Sequence, residues 1–185
     1  MNDRSRRAIL RDRTAAAHAS LDGTIGGFDD LQAYKTYLFG MSAFRLPVEQ
    51  AMAAAPWPAR LAPFGSDDIG ALILSDCADL GMAPATPVAA PTIAETPEAM
   101  LGMLYVLEGS ALGARLLYRR AKALGLTESF GARHLAAQAA VTDRWPRFLA
   151  LLEATEAIEI DRVAEASTAA FTVAEKAFKR AFHAA

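Results

Sequence analysis

The stretch "MLYVLEGSALGARLL", residues 103 to 117, decides how the chain is read. Almost every residue in it favours a buried helix, yet it carries Gly109 and Gly113 four positions apart, with Glu108 against the first. A glycine inside a helix costs about 1 kcal/mol relative to alanine, through lost backbone entropy and absent side-chain burial. On a helix, residues 105, 109, 112, 113 and 116 fall along one side, because neighbours lie three and four apart. Gly109 and Gly113 therefore make a bare strip of backbone beside Tyr105. Such a strip admits either a second helix at close range, the commoner use of small residues at this spacing, or a flat ligand.

Cap signals extend the helix outward from this stretch. Thr96 reads as the N-cap, Pro97 as the first helical residue and Glu98 as a first-turn carboxylate, with the helix running to Lys122. Upstream, "APATPVAAPTIAETP" (residues 83 to 97) holds four prolines and reads as a loop. Before it, "SDD" at Ser66 opens a helix through "IGALILSDCADLGM". Residues 5 to 19 read as the first helix, which "LDGTIGGFDD" breaks with glycines. Asp29 or Asp30 caps a second helix, and Pro47 is expected to kink or divide it. Helices over about 132 to 154, kinked at Pro146, and about 158 to 182 complete the pattern. No period-2 strand, repeat or low-complexity tract is found, so the fold class is all-α, a helical bundle forming a single domain over residues 1–185.

Composition narrows the function classes. A net charge of -2 with 22% charged and 53% hydrophobic residues describes an ordinary globular chain and gives no basic surface for nucleic acid. Cys77 is the single cysteine, which excludes an internal disulfide and a CxxC metal site and suits a reducing cytoplasm. Asp3 and Asp12 interrupt the arginine-rich start, so no signal peptide is expected. The longest apolar run, Ala99 to Leu107, is short of the roughly 20 residues of a spanning helix, and no membrane partner is expected. No GxSxG, P-loop or GxGxxG is present. Among the acidic residues, Glu108 is expected to pair with an arginine from another helix.

His18, in "LRDRTAAAHASLD", is preceded by three alanines that leave room around its ring. Arg11 lies two turns earlier on the same face, where its cation reaches the acidic groups of anything His18 holds. One axial histidine with an arginine nearby suits a heme carrying propionates. His134 and His183 lack the spacing of a zinc or di-iron site.

"LRDRTAAAHASLD" followed some ninety residues later by "LYVLEGSALGARLL" resembles the bacterial heme oxygenases, particularly those accompanying bacterial phytochromes. "LILSDCADLGM", "DRWPRFLALLE" and "ASTAAFTVAEKAF" fit the family's order, so the likeness covers essentially the whole chain. It implies a helical fold with heme (iron protoporphyrin IX, both cofactor and substrate) between a proximal helix and a distal helix kinked at its glycines. His18 would be the proximal iron ligand, and Gly109, Ser110 and Gly113 would form the distal wall beside Tyr105. Arg11 would contact a heme propionate, Phe171 would line the pocket, and Arg144 or Arg147 would supply a further propionate contact. The implied activity converts heme, with dioxygen and reductase electrons, to biliverdin, carbon monoxide and ferrous iron. The implied partners are that reductase and a phytochrome or other sensor kinase. Ser110 stands where animal members carry aspartate, and Ala114 where a second glycine is common. A methyl at Ala114 is expected to narrow the pocket, the feature that a non-catalytic, protein-binding relative would show.

Overall fold

The computed structural model describes residues 5–65, 68–86 and 96–184. Seven α-helices follow in order: α1 (Arg6–Ile25), α2 (Leu31–Ala54), α3 (Ile69–Asp79), α4 (Pro97–Ala123), α5 (Arg133–Ala140), α6 (Arg144–Ala154) and α7 (Ile160–Ala184). A 3-10 turn, Ala59–Phe64, links α2 to α3, and no strand occurs among the described residues.

Local chemistry sets most of the boundaries. Ser5, Asp30, Asp68 and Thr96 each accept a hydrogen bond from a first-turn amide of the helix they open. The cap foreseen at Ser66 lies outside the described residues, and Asp68 opens α3. α1 runs through Gly23 and stops at Gly26, whose φ of +60° is open to glycine at little cost. α5 has no capping side chain of its own. The buried Asp76 carboxylate of α3 takes that role, accepting from Arg133 N at 2.9 Å and His134 N at 3.1 Å. The same carboxylate pairs with His134 Nδ1 at 2.7 Å.

Pro47 does not divide its helix. α2 is continuous from Leu31 to Ala54 with the buried Pro47 inside it, so burial of this segment outweighs the missing amide bond. The single helix expected over 132–154 is two, α5 and α6, separated at Val141–Asp143. Pro146 is the third residue of α6, where an amide has no intrahelical acceptor and proline removes nothing.

α7 organises the molecule, packing on α1, α2 and α4. Its inward face carries Val163, Ser167, Ala170, Phe171, Ala174 and Phe178, all buried. α4 crosses it at Gly102, where a Cβ would stand 2.5 Å from Ala166 Cβ and 2.8 Å from Ser167 N. The close helix contact foreseen for Gly109 and Gly113 therefore occurs at Gly102, seven residues earlier on the same face. α4 is long and apolar enough to span a membrane by length and composition, which the short Ala99–Leu107 run does not suggest. Half of that apolar window is buried in the bundle, as in the core helix of a globular protein.

Candidate functional site

Beyond Gly102, α4 and α7 separate. A Cβ on Gly109 would be 3.7 Å from the Trp145 ring of α6, and a Cβ on Gly113 would meet nothing within 4 Å. The same face exposes Leu112 (60%) and Leu116 (48%), an apolar surface left largely open among the described residues. α1 and α4 each pack on α6, and each packs on α7. We take the surface of α7 bordered by α1 on one side and α4 on the other as the candidate trough. At the end where α1 turns into α2, the Arg120 guanidinium of α4 lies against Gly27, and a Cβ there would sit 1.7 Å from Arg120 Nη1. At the other end Arg6 donates to Leu152 O and Glu153 O at 2.9 and 3.1 Å, fastening the start of α1 to the end of α6.

His18 belongs to the α1 wall. Its side chain is 60% exposed, and its ring meets the buried Phe171 of α7 edge-on, with centroids 5.6 Å apart. His18 Nδ1 lies 2.9 Å from Asp22 Oδ2, one helical turn on. A carboxylate on Nδ1 fixes the tautomer and ring orientation of an imidazole and leaves Nε2 as the atom offered to a ligand. Arg11 is exposed and pairs with Asp12 Oδ1 at 3.3 Å, a contact that solvent weakens and a ligand carboxylate can replace.

The remaining expected residues belong to the α4 wall. Tyr105 is half-buried and packs on Trp145, with centroids 5.4 Å apart, and Trp145 in turn stacks on Phe148. Ser110 faces α5: its Oγ donates to Leu107 O at 2.7 Å and accepts from Gln138 Nε2 at 3.2 Å. Thus His18 and Phe171 are brought together, as are Tyr105, Gly109 and Trp145, while the exposed Ser110 is joined to Gln138 of α5. Trp145 and Asp22 escaped the sequence reading. Asp22 could have been found from its i,i+4 spacing to His18, whereas Trp145 is placed by the packing of α6 on α4.

Two expectations about charge and size are resolved by burial. Glu108 is buried and accepts from Arg144 Nε at 2.7 Å, while Arg144 Nη2 donates to Phe64 O at 2.8 Å. This structural ion pair engages Arg144 on the far side of α4, and the exposed Arg147 is the cation of the two that reaches solvent. Ala114 is 1% exposed, so its methyl fills the core behind α4 and does not project beside the open Gly113.

A separate cavity of about 390 Å³ lies across α4 from the trough, lined by Trp57, Phe64, Leu104 and Leu107 among others. Its charged side chains include the Arg45–Glu49 and Arg144–Glu108 pairs, and neither His18 nor Gly113 reaches it.

The chain is thus an all-helical protein with an outward histidine on α1 and a bare, apolar segment on α4, both helices packed on α7. A family model described as heme oxygenase matches residues 78–180, more than half of the chain, and the chain belongs to the heme oxygenase family. A 57-residue segment is 49% identical to the heme oxygenase PigA of Pseudomonas aeruginosa, spanning 30% of this chain and 29% of that protein. The fold is similar to that of the NO- and CO-bound heme oxygenase from Neisseria meningitidis, with a TM-score of 0.81. That match has 24% identity and covers 97% of this chain and 92% of the other.

Proposed function

We propose that the chain is a heme oxygenase that uses dioxygen and electrons from a reductase to convert heme to biliverdin with release of carbon monoxide and ferrous iron. The observation that carries this reading is the arrangement of His18: an exposed imidazole, held at Nδ1 by Asp22 and seated on Phe171 of α7, the helix on which α4, stripped to backbone at Gly113, also packs.

The residues fit the group. His18 Nε2 would ligate the iron, with Asp22 raising the basicity of the ring. Leu112 and Leu116 would lose their exposure beneath the macrocycle, and Gly113 would leave the space opposite His18 open, since it adds no atom there. Arg11 would give up Asp12 for a propionate, and Arg147 is the corresponding candidate on α6. Bound heme supplies the redox chemistry and is also the molecule consumed; the protein binds it, orients it and limits which carbon is reached. Tyr105 and Trp145, packed together at the α6 side, would keep water from that side of a bound heme. A single thiol suits the reducing cytoplasm in which a reductase works, and the product makes a phytochrome or other sensor kinase a fitting recipient.

Titration of the hemin-free protein with hemin tests the reading. A saturable Soret shift at one heme per chain is expected, lost in His18→Ala. Addition of reductant under air should then bleach the Soret band while a bilin band grows. Absence of a saturable shift in the wild type removes the proposal, and a stable reduced complex that yields no bilin reduces it to heme binding alone.

A further inference from the structure

We infer that α5 is a brace behind the bare segment of α4, with Gln138 as its positioning residue, and that this brace fixes how closely the segment overlies a bound macrocycle. The inference rests on the heme reading above for its consequence, but not for its geometry.

Gly109 and Gly113 have no side chains with which to hold α4 in place, and the trough side of Gly113 is empty. Whatever fixes this segment has to act from behind. Just before it, the Glu108–Arg144 pair ties α4 to α6, and within the segment itself two contacts act from behind, both from α5. Gln138, 8% exposed, donates from Nε2 to Ser110 Oγ at 3.2 Å. Five residues further along α4, Arg115 Nε donates to Ala139 O at 3.4 Å. The two contacts flank Gly113, and Ala114 is buried between them.

The chemistry of Ser110 sharpens the point. A hydroxyl has one proton, and here it is committed to Leu107 O, three residues back. A serine bonded in this way loosens and bends its own helix. Gln138 then occupies a lone pair of the same oxygen, so Ser110 is engaged on both counts and works as a tie between helices. α5 itself is firmly set, because Asp76 holds Arg133 N, His134 N and the His134 ring from α3. The line Asp76, α5, Gln138, Ser110 therefore anchors the segment to a part of the core remote from the trough.

Gln138→Leu keeps the side-chain bulk and removes the donor; Ser110→Ala removes the acceptor. In hemin-free protein, amide exchange at residues 111–114 should quicken about tenfold in either variant, the scale of one lost hydrogen bond. Exchange in α2 and α7 should be unaltered. The double variant should be no faster than either single, because both changes break one contact. In hemin-loaded protein, Gln138→Leu should turn a single biliverdin isomer into a mixture, with hemin affinity changed less than about threefold. A generally destabilised protein would alter affinity and exchange throughout but not the isomer ratio. Unchanged exchange at 111–114 overturns the brace, and altered exchange with an unchanged isomer pattern overturns its role in seating the macrocycle. If the wild type binds no hemin, the function proposed above fails while the exchange comparison still decides the brace. Should Gln138→Leu not fold, Ser110→Ala carries the same measurements.

Discussion

Gly113 and Ala114 are adjacent on α4 and have opposite surroundings, one facing empty space and the other 1% exposed. That contrast separates stability from binding at a single residue. Gly113→Ala adds a methyl that touches no protein atom and restores helix propensity, so it should raise unfolding stability by about 0.5–1 kcal/mol in urea denaturation. Gly113→Leu should likewise fold, yet abolish the hemin-induced Soret shift, because its side chain enters the space opposite His18. A Gly113→Leu protein that took up hemin like the wild type would place the ligand elsewhere. Cys77 gives a second prediction at this scale. Burial, followed by the neighbouring Asp76 carboxylate, pushes its thiol up to about 11. At pH 8 only roughly one thiol in a thousand is then ionised, and the thiolate is the reactive form. Labelling of Cys77 by a disulfide reagent should be negligible in folded protein and prompt in urea.

At the level of the helices, the crossing of α4 over α7 depends on Gly102. Gly102→Ala forces a methyl against Ala166 and the backbone at Ser167, and overpacking of this kind costs about 1–3 kcal/mol. Opposite outcomes for alanine at 102 and at 113, read from urea midpoints, would distinguish the packing glycine from the open one. The sequence shows three glycines on one face of α4 but not which of them meets a helix, because that depends on where α7 crosses and then departs. The caps at Asp30 and Thr96 were legible for the opposite reason: each is a contact between a residue and the amide three positions on. α5 shows the limit of such reading, since its cap is Asp76, 57 residues before Arg133. The link between α3 and α5 should also respond to acid. The Arg133 hydrogen bond, then the Gly131 amide, hold the Asp79 carboxyl below its ordinary value of 3.8. A lowered folded value means that its stabilisation is present above the unfolded value and disappears as pH falls through the folded one. Below about pH 4 the wild type should therefore lose stability more steeply than Asp79→Asn, which has no such carboxylate to protonate. Parallel acid limbs for the two proteins would assign the acid sensitivity to other groups.

Over the whole molecule, the trough is a surface the bundle leaves unfinished. α7 is covered by α1, α2 and α4, yet Leu112 and Leu116 of α4 stay exposed, as does the His18 imidazole of α1. The sequence held the proposed participants, His18 near one end and the glycine strip past the middle, but any alignment of the two depends on α7, which the spacing of neither motif describes. A bundle completed by its ligand should be stabilised by it. A ligand at a hundred times its dissociation constant adds about 2.7 kcal/mol to the folded state. In a chain of this size each kcal/mol raises the melting temperature by about 2–4 °C. Saturating hemin should accordingly raise the melting temperature by about 5–10 °C, measured by circular dichroism at 222 nm. The increment should shrink in His18→Ala, which loses the iron ligand, and in Gly113→Leu, which loses the space. It should persist in Glu49→Gln, which alters the cavity across α4 and leaves the trough untouched. Loss of the increment in Glu49→Gln with retention in His18→Ala would assign the ligand to that cavity and detach His18 from its binding.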